Sequence, residues 1–324
     1  MALLEVRNLE VRFPLRGGEL TALRDLSFSL NQGERLGIVG ESGAGKSVAA
    51  FAILNLVSRP GYISAGSVLF EGRDLASLAP EQLRSIRGNR IAMIFQDPMM
   101  TLNPVLTIGT QMVECLQAHR EISDKEAREI AVSKLRSVSI PAPAARMDQY
   151  PHELSGGMRQ RVVIAIALLT EPSVIIADEP TTALDVTIQA EIMELLLELC
   201  ENNNVALLLI THDLGVVSQV TQRTIVMYAG RIVEEGATRS IIDNPWHPYT
   251  HGLIDALPER THRGQRLNQI PGMMPSLSAI PEGCAFHPRC EHMTELCQTQ
   301  IPGYTLRDER RVACHWVEKQ GESR

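Results

Sequence analysis

The sequence has no excess of positive charge and no long apolar run. Its 31 Lys and Arg residues are outnumbered by 38 Asp and Glu residues, and the formal net charge is -7. This balance gives no basic surface for nucleic acid, so a nucleic-acid partner is not expected. The longest apolar stretches, residues 162–169 and 205–210, are far shorter than the roughly 18 residues needed to cross a bilayer. Membrane association is therefore expected to depend on partner proteins.

The N-terminus lacks the basic start and apolar core of a secretory signal peptide, so we expect the chain to stay in the cytosol. Residues 1–13 instead alternate apolar and charged side chains, which predicts a strand of the edge type. No internal repeat is present, and this excludes solenoid and tandem-duplicated architectures.

Short apolar runs predict the strands of an α/β domain with a mixed, largely parallel core sheet. The runs are residues 36–39, 91–95, 174–177, 205–210 and 224–228. From Gln96 to Leu154 the pattern becomes helical, most clearly at 124–138, which predicts a helical subdomain over about residues 97–170. Strand-like runs end after Gly236. We therefore predict one domain over residues 1–236 and a small C-terminal domain over 237–324, with one short helix near 249–256.

A glycine-rich segment follows the first of these predicted strands. Residues 40–47, GESGAGKS, fit the pattern G-x-x-x-x-G-K-[ST] between that strand and an apolar helix predicted at 48–56. Such a loop turns backbone N–H groups toward phosphates, and the helix N-terminus adds positive potential. The alternative is a chance glycine-rich turn. The predicted nucleotide-binding residues here are Gly40, Glu41, Ser42, Gly43, Ala44, Gly45, Lys46 and Ser47.

Three residues in this region have specific expected roles. Lys46 is predicted to reach the β- and γ-phosphates, and Ser47 to coordinate Mg²⁺. Phe13, upstream of the loop, is a candidate for stacking on an adenine ring. Its alternative is a place in the core, which is common for a single aromatic residue near a strand.

Two adjacent acids follow the apolar run at 174–177. They lie at the carboxyl end of a predicted strand, where ligands gather in open α/β sheets. Asp178 is predicted to hold Mg²⁺ through its water shell, and Glu179 to orient or deprotonate the water that attacks the γ-phosphate. Alternatively, the two acids form only the solvated start of a helix.

Further motifs give the chain its resemblance to a known family. LSGGMRQR at 154–161 resembles the signature motif of the ABC ATPases, and Gln96 in IFQDP resembles their Q-loop. TALD at 182–185 resembles their D-loop, and THD at 211–213 resembles the segment that carries their switch histidine. The resemblance extends over about residues 3–236. The order and spacing of these motifs, together with the P-loop, exclude coincidence.

The resemblance implies a P-loop ATPase that works as a head-to-tail pair. Its expected catalytic residues are Glu179, His212 and Gln96, and its Mg²⁺ ligands are Ser47, Gln96 and Asp178. A second group of residues would face the partner's ATP or the dimer interface: Ser155, Gly156, Gly157 and Asp185. A helix N-terminus like that at Ser155 binds anions, and a second such site in a chain that already has a P-loop suits a partner's nucleotide.

The resemblance also implies the assembly around this chain. The expected partners are a second ABC ATPase, more often a related chain than an identical one, two integral-membrane permease subunits and an extracytoplasmic solute-binding protein. The chain would lie peripherally on the cytoplasmic face of the inner (cell) membrane, with its helical insertion against the permease. Separation of the two ATPases after hydrolysis would move the membrane helices.

The C-terminal residues resemble the extension found in ATPases of oligopeptide and dipeptide importers. NPWHPYT at 244–250 resembles its start, and its cysteine pattern is matched by Cys284, Cys290, Cys297 and Cys314. In a reducing cytosol, such a cluster favours metal ligation over disulfides. The spacings are wider than those of common zinc sites, so a structural [4Fe-4S] cluster is expected. The alternatives are four unligated thiols, or Zn²⁺ with substitute ligands from His287, His292 or His315.

The transported solute is predicted from the resemblance alone. The same family includes importers of nickel, opines and other small solutes, so peptide import has alternatives within it. A soluble ABC ATPase acting on ribosomes or DNA is disfavoured, because the chain has neither a second cassette nor coiled-coil arms. A non-catalytic nucleotide-binding module is disfavoured because all the candidate catalytic residues are present.

Overall fold

The computed structural model describes residues 2–15, 17–182, 184–257 and 269–322. The chain divides into two compact units. The first unit comprises residues 1–30, 35–76 and 209–324, and the second comprises residues 31–34 and 77–208. Ala183 of the predicted D-loop lies outside the described residues.

The described strands and helices follow one another as an α/β chain with a helical stretch in its middle. The strands are β1 (Leu4–Leu15), β2 (Gly18–Leu30), β3 (Arg35–Val39), β4 (Tyr62–Phe70), β5 (Arg73–Asp74), β6 (Ile91–Ile94), β7 (Val174–Asp178), β8 (Ala206–Thr211), β9 (Arg223–Tyr228), β10 (Arg231–Ala237), β11 (Thr305–Arg307) and β12 (Arg310–Val312). The helices are α1 (Lys46–Ile53), α2 (Pro80–Ile86), α3 (Pro98–Thr101), α4 (Ile108–Gln117), α5 (Asp124–Ser137), α6 (Pro143–Arg146), α7 (Gly156–Ala167), α8 (Val186–Asn202), α9 (Leu214–Val220), α10 (Thr238–Asp243), α11 (Pro248–Asp255), α12 (Glu295–Thr299) and α13 (His315–Glu322).

The first unit contains an antiparallel sheet with the strand order β2-β1-β4-β5. The prediction that the N-terminal strand is an edge strand is wrong, because β1 pairs with β2 on one side and with β4 on the other. Its alternating side chains reflect one buried face, to which Leu4 and Val6 belong. Interior and edge strands of an antiparallel sheet share that pattern, so alternation alone does not separate them.

Five more strands of this unit lie side by side in the order β11-β12-β10-β9-β3. β3 is parallel to β9, whereas β10 is antiparallel to both β9 and β12, so the sheet is mixed, as predicted. Leu36, Ile38 and Val39 of β3 are 0% exposed, which suits a strand covered on both faces. Because β3 leads directly into residues 40–47, its buried end fixes where the glycine-rich loop begins.

In the second unit, β6 and β7 run parallel, with Ile91 beside Val174 and Ile94 beside Ala177. Both strands therefore end at the same edge, where parallel sheets place their functional groups. The segment between them carries α3 to α7. Of these, α5 agrees with the helix predicted over residues 124–138. The bounds of the helical subdomain, about residues 97–170, stay a prediction.

Residues 237–324, called the C-terminal extension below, carry more regular structure than their sequence predicts. The expected short helix is α11, and the described residues add α10, α12, α13 and the pair of strands β11 and β12. β12 pairs with β10, with Val312 opposite Glu234. Arg310 forms a buried ion pair with Glu234 at 2.6 Å. These contacts depend on charged residues and main-chain pairing, which give no apolar period. The domain boundary near residue 237 stays a prediction.

His247, just before α11, gives the extension an expected response to pH. Its side chain is buried, and its Nδ1 accepts a hydrogen bond from the Tyr249 N–H at 3.0 Å. Burial lowers the pKa of His247 from 6.5 to about 3, with a smaller contribution from the charge of His251. The folded protein therefore holds a neutral ring. The neutral ring contributes its full stability above the pKa that His247 has in the unfolded chain. That stability is lost as the pH falls toward the lower pKa that His247 has in the folded protein.

We expect the free energy of unfolding to fall by about 1.4 kcal/mol per pH unit below pH ~6.5 because of His247. Urea unfolding at about pH 7 and about pH 5.5 measures the loss. His247→Asn is the matched variant, since asparagine can still cap α11 but does not titrate in this range. The free energy of unfolding of His247→Asn should depend less on pH than that of the wild type. An equal loss of stability in both proteins between these pH values would mean that His247 is not its cause.

Candidate nucleotide-binding site

In the first unit, residues 40–47 form a loop whose shape depends on glycine. Gly43 has φ 86° and Gly45 has φ 98°, in the left-handed region that other residues rarely adopt. A Cβ atom on Gly45 would lie 3.1 Å from the carbonyl oxygen of Ala22. Helix α1 begins at Lys46, immediately after this turn. The loop and the helix N-terminus therefore have the backbone shape that a phosphate-binding loop requires, and the binding itself stays a prediction.

Lys46 lies across the loop with its ammonium group held by main-chain oxygens. Its side chain is buried, and Nζ donates hydrogen bonds to the carbonyl oxygens of Gly40 at 2.9 Å and Glu41 at 3.2 Å. Ser42 and Gly43 are exposed and Ser47 is half-buried. The loop is thus formed, with its tip open to solvent. Positive charge on the inner side of a glycine-rich loop suits a polyphosphate.

Two other predicted residues lie in the first unit. Phe13 is half-buried in β1, and a Cβ atom on Gly61 would come within 2.4 Å of its ring, so the ring packs directly on the Gly61 backbone. His212 is exposed and follows β8. The next residue, Asp213, fixes this turn by accepting hydrogen bonds from the N–H groups of Gly215 at 2.8 Å and Val216 at 3.3 Å.

In the second unit, the structure brings Gln96 and Glu179 together. Gln96 Nε2 donates a hydrogen bond to Glu179 Oε2 at 3.3 Å, and Thr182 Oγ1 donates to the same oxygen at 2.9 Å. Asp178 is the last residue of β7 and is 3% exposed. Glu179 has φ 46°, a conformation that costs a non-glycine residue about 1–3 kcal/mol and that clusters at functional sites. The sequence pattern did not single out Thr182 as a partner of this carboxylate.

The signature and D-loop segments of the second unit cap two neighbouring helices. Ser155 precedes α7 and accepts a hydrogen bond from the Met158 N–H at 3.3 Å, and Asp185 precedes α8 and accepts one from the Ile188 N–H at 3.0 Å. A Cβ atom on Gly157 would lie 3.0 Å from Ile188 Cγ2, so the start of α7 packs closely on α8. Ser155 and Gly156 are exposed. They present a helix N-terminus to solvent.

The four cysteines of the extension are free thiols. Burial raises the pKa of Cys284 to about 11 and also raises the pKa of Cys290 and Cys314, and each of these thiols also senses the charge of others in the group. Within the part of the chain that the structure describes, no three His, Cys, Asp or Glu residues form a group that could hold a metal ion. The described residues therefore give no evidence of their own for the expected [4Fe-4S] cluster or for its zinc alternative.

The histidines considered as substitute ligands have other partners. The His287 Nδ1 hydrogen-bonds with the carbonyl oxygen of Cys284 at 3.0 Å, and the His315 Nε2 with that of Gln300 at 3.0 Å. His292 stacks on Trp316 with ring centroids 4.1 Å apart.

No helix of the described residues has the length and apolar character that crossing a membrane requires.

Two family models match the chain. Residues 23–182 match the model described as ABC transporter, and residues 233–297 match that of the C-terminal region of oligopeptide/dipeptide transporters. The solved structure of the dimeric bacterial ABC transporter cassette MJ0796 is 29% identical, with a TM-score of 0.65, over 73% of this chain and 99% of that chain. CbiO1 of Clostridium perfringens, part of the ABC transporter complex cbiONQ, is 27% identical, with a TM-score of 0.63, over 75% of this chain and 91% of that chain.

Relatives align over nearly the whole chain. The chain is 49% identical over 312 residues to the oligopeptide transport ATP-binding protein OppD of Salmonella typhimurium, covering 96% of this chain and 93% of OppD. It is 48% identical over 320 residues to the dipeptide transport ATP-binding protein DppD of Bacillus subtilis, covering 98% of this chain and 95% of DppD.

These likenesses, with the P-loop and the β7 carboxylates, define an α/β ABC ATPase cassette. More narrowly, the chain belongs to the ATP-binding proteins of the oligopeptide/dipeptide family of ABC transporters. As a member of that family it hydrolyses ATP to energise a multi-subunit importer, of which it is one component. The predictions of fold class, family and enzyme class are confirmed in this form.

Proposed function

We propose that the predicted site residues act in the hydrolysis of Mg·ATP. Lys46 and the N–H groups of residues 40–47 bind the phosphates, Phe13 stacks on the adenine, and His212 contacts the γ-phosphate. Ser47, Gln96 and Asp178 hold Mg²⁺, which neutralises charge on the phosphates when bound. The observation that carries this proposal is the Glu179 carboxylate, which receives hydrogen bonds from Gln96 and Thr182.

Glu179 is the proposed general base. The two hydrogen bonds to Oε2 hold the carboxylate in one orientation, and it takes the proton that the water loses as it attacks the γ-phosphorus. The leaving group is ADP, and the proton passes to the carboxylate. Gln96 positions this base. Its side-chain amide would contact both the metal ion and the Glu179 carboxylate, so that metal binding would also orient the carboxylate.

The signature residues are proposed to act on a partner's nucleotide. At the N-terminus of α7, Ser155 and Gly156 are exposed and Gly157 is buried, and a helix N-terminus of this kind, separate in sequence from the P-loop, suits an anion. The MJ0796 cassette has also been solved as a dimer in a post-hydrolysis state bound to ADP and Pi. We infer the same kind of pairing here, with Asp185 near the shared interface and with a related chain as the second ATPase.

Ser155→Ala is expected to lower kcat for ATP hydrolysis by at least about 10-fold in the assembled pair, because a phosphate donor is lost. Steady-state ATPase assays of the intact complex measure it. The matched control is Ser123→Ala, since Ser123 caps α5 through the Glu126 N–H at 3.2 Å and its loss should cost about the same helix stability. Equal activity of the two variants would remove the proposed role of Ser155.

The cargo is proposed to be di- or oligopeptides, imported through two permease subunits and a solute-binding protein. The names of OppD and DppD support this choice over nickel, opines or other solutes. The chain would lie peripherally at the cytoplasmic face of the membrane. Isolation of the tagged chain from membranes should recover these partners, and peptides should stimulate ATP hydrolysis in proteoliposomes. Recovery of ribosomes without permeases would contradict the proposal that the chain powers transport through permease subunits.

We also propose a metal site in the C-terminal extension, and its support is limited to the hydrogen bonds that the cysteine sulfurs accept. Main-chain N–H groups donate to the sulfurs of Cys284, Cys290 and Cys314 and lower the pKa of each thiol, against the larger effect of burial, which raises it. Hydrogen bonds of this kind also orient and tune cysteine ligands of iron or zinc. We infer a [4Fe-4S] cluster, although no three ligating side chains of the described residues are grouped for a metal. Iron and sulfide analysis with an absorbance spectrum tests it, and a colourless, iron-free protein would end the proposal.

A further inference from the structure

Glu41, the second residue of the P-loop, is held by three other residues of the first unit. Its N–H donates a hydrogen bond to the Tyr249 hydroxyl oxygen at 2.8 Å, and its carbonyl oxygen accepts one from Lys46 Nζ at 3.2 Å. Its carboxylate accepts two bonds from Arg289, from Nη1 at 2.7 Å and from Nη2 at 3.0 Å. The main chain and the side chain of this one residue are therefore both fixed.

Two of these three partners belong to the C-terminal extension and are themselves rigidly held. Tyr249 is 0% exposed, and its ring packs against Tyr228 and Phe286, with centroids 4.7 Å and 5.4 Å away. The Arg289 side chain is 5% exposed, and its Nε donates to the carbonyl oxygen of Pro271 at 2.8 Å. A bidentate pair with a guanidinium fixed in this way is among the stronger ion pairs in proteins.

The pair matters because Glu41 puts a negative charge in a loop that binds a polyphosphate. Without a cation beside it, that carboxylate would repel the nucleotide. Lys46 contacts Glu41 at its carbonyl oxygen, and the proposed function directs the Lys46 charge to the phosphates, so a different cation is needed for the Glu41 carboxylate. When Lys46 leaves the Glu41 carbonyl, the contacts with Tyr249 and Arg289 still hold the loop in place.

We propose that Arg289 and Tyr249 are positioning residues for ATP binding: they hold Glu41, neutralise its charge and so keep the P-loop ready for the nucleotide. The extension is then part of the ATP-binding apparatus of its own chain. This inference rests on the proposed role of residues 40–47 in ATP binding. The competing view is that Arg289 only anchors the extension, through its contacts with Pro271 and the aromatic side chains.

A double-mutant cycle separates the two views. In the intact transporter, Arg289→Met should raise the KM for MgATP and its Kd by about 10-fold or more, with kcat changed less than about 3-fold. Glu41→Gln removes the charge that Arg289 neutralises. In the double variant, the penalty of Arg289→Met should therefore fall to within about 3-fold of Glu41→Gln alone. A merely structural anchor would give the same penalty in both backgrounds, and that result would overturn the proposal.

Tyr249→Phe tests the second contact without removing the ring. Loss of the hydroxyl leaves the Glu41 N–H without its acceptor, and we expect a rise in KM of about 3- to 10-fold. Tyr304→Phe is the matched control, because the Tyr304 hydroxyl donates to the Ile232 carbonyl oxygen at 3.3 Å in the same unit but not to the P-loop. An unchanged KM in Tyr249→Phe would refute its positioning role.

Lys46→Ala distinguishes failure of this inference from failure of the proposed function. If Lys46→Ala binds ATP normally, the P-loop assignment is wrong. If Lys46→Ala loses ATP binding while Arg289→Met retains the wild-type Kd, only the positioning role is lost. Arg289→Lys keeps the charge but not the bidentate geometry and should fall between Arg289→Met and the wild type. If the Arg289→Met chain does not assemble into the transporter, the double-mutant cycle is measured with Arg289→Lys and Glu41→Gln instead. Its result then decides between the positioning role and the anchoring role of Arg289.

Discussion

Replacement of Glu179 by glutamine is expected to lower kcat for ATP hydrolysis by about 10²- to 10⁴-fold, the range that loss of a general base produces. The amide has nearly the shape of the carboxylate, so the contacts with Gln96 and Thr182 can persist through its oxygen. It accepts no proton from the attacking water. ATP binding, which we propose to depend on residues 40–47, should remain within about 3-fold of the wild type.

The test combines single-turnover hydrolysis with retention of nucleotide. Complexes carrying Glu179→Gln should keep ATP bound after rapid gel filtration, whereas wild-type complexes should contain ADP. Glu198→Gln provides the control, because Glu198 is an acid of α8 in the same unit. Turnover of the Glu179→Gln complex within about 3-fold of the control would mean that another group activates the water.

The core strands could be predicted from the sequence because burial on both faces produces continuous apolar runs. β3, β6, β7, β8 and β9 each appear within a residue or two of the predicted run. β1 pairs with the next strand, β2, and also with the more distant β4, and the prediction of an edge strand is wrong because the sequence gives no sign of the second pairing. Side-chain alternation reports a buried face, but it does not report how many neighbours a strand has.

The site residues also differ in whether their contacts are local or distant in the sequence, and only those with local contacts could be predicted. The loop at 40–47 and the two acids at the end of β7 depend on neighbouring residues, so the sequence motif identifies them and the apolar strand before each of them predicts their position. The pair Glu41–Arg289 joins residues 248 positions apart, and nothing in either local sequence predicts it. Arg289 adjoins Cys290, in a segment whose sequence pattern is defined by its cysteines. A residue that acts through a distant loop residue gives no sequence motif of its own.

A buried ion pair ties the end of the chain to the sheet that carries the P-loop. Glu234 of β10 is 0% exposed and accepts hydrogen bonds from the N–H groups of Trp246 at 2.8 Å and His247 at 2.9 Å. Arg310 of β12 donates to the same carboxylate at 2.6 Å, and its guanidinium lies 3.9 Å from the centroid of the Trp246 ring. The pair therefore joins β10, β12 and the start of α11.

Arg310→Met is expected to lower the free energy of unfolding by about 3–5 kcal/mol, because it leaves the Glu234 carboxylate buried without a cation. Urea unfolding followed by tryptophan fluorescence measures the loss, since Trp246 adjoins the guanidinium. Arg307→Met is the control: Arg307 lies in β11, and its side chain is 52% exposed, so removal should change stability by less than about 0.5 kcal/mol.

The stability lost in Arg310→Met is expected to come from the unpaired charge of Glu234, and a second variant tests this origin. Methionine preserves most of the volume of the arginine stem, so the penalty comes from the unpaired charge rather than from a cavity. Glu234→Gln removes that charge while its side-chain oxygen still accepts from the N–H groups of Trp246 and His247. Combining it with Arg310→Met should therefore recover at least about half of the lost stability. If the double variant is as unstable as the sum of the two single variants, the two side chains stabilise the extension independently and the charge pairing is not the cause.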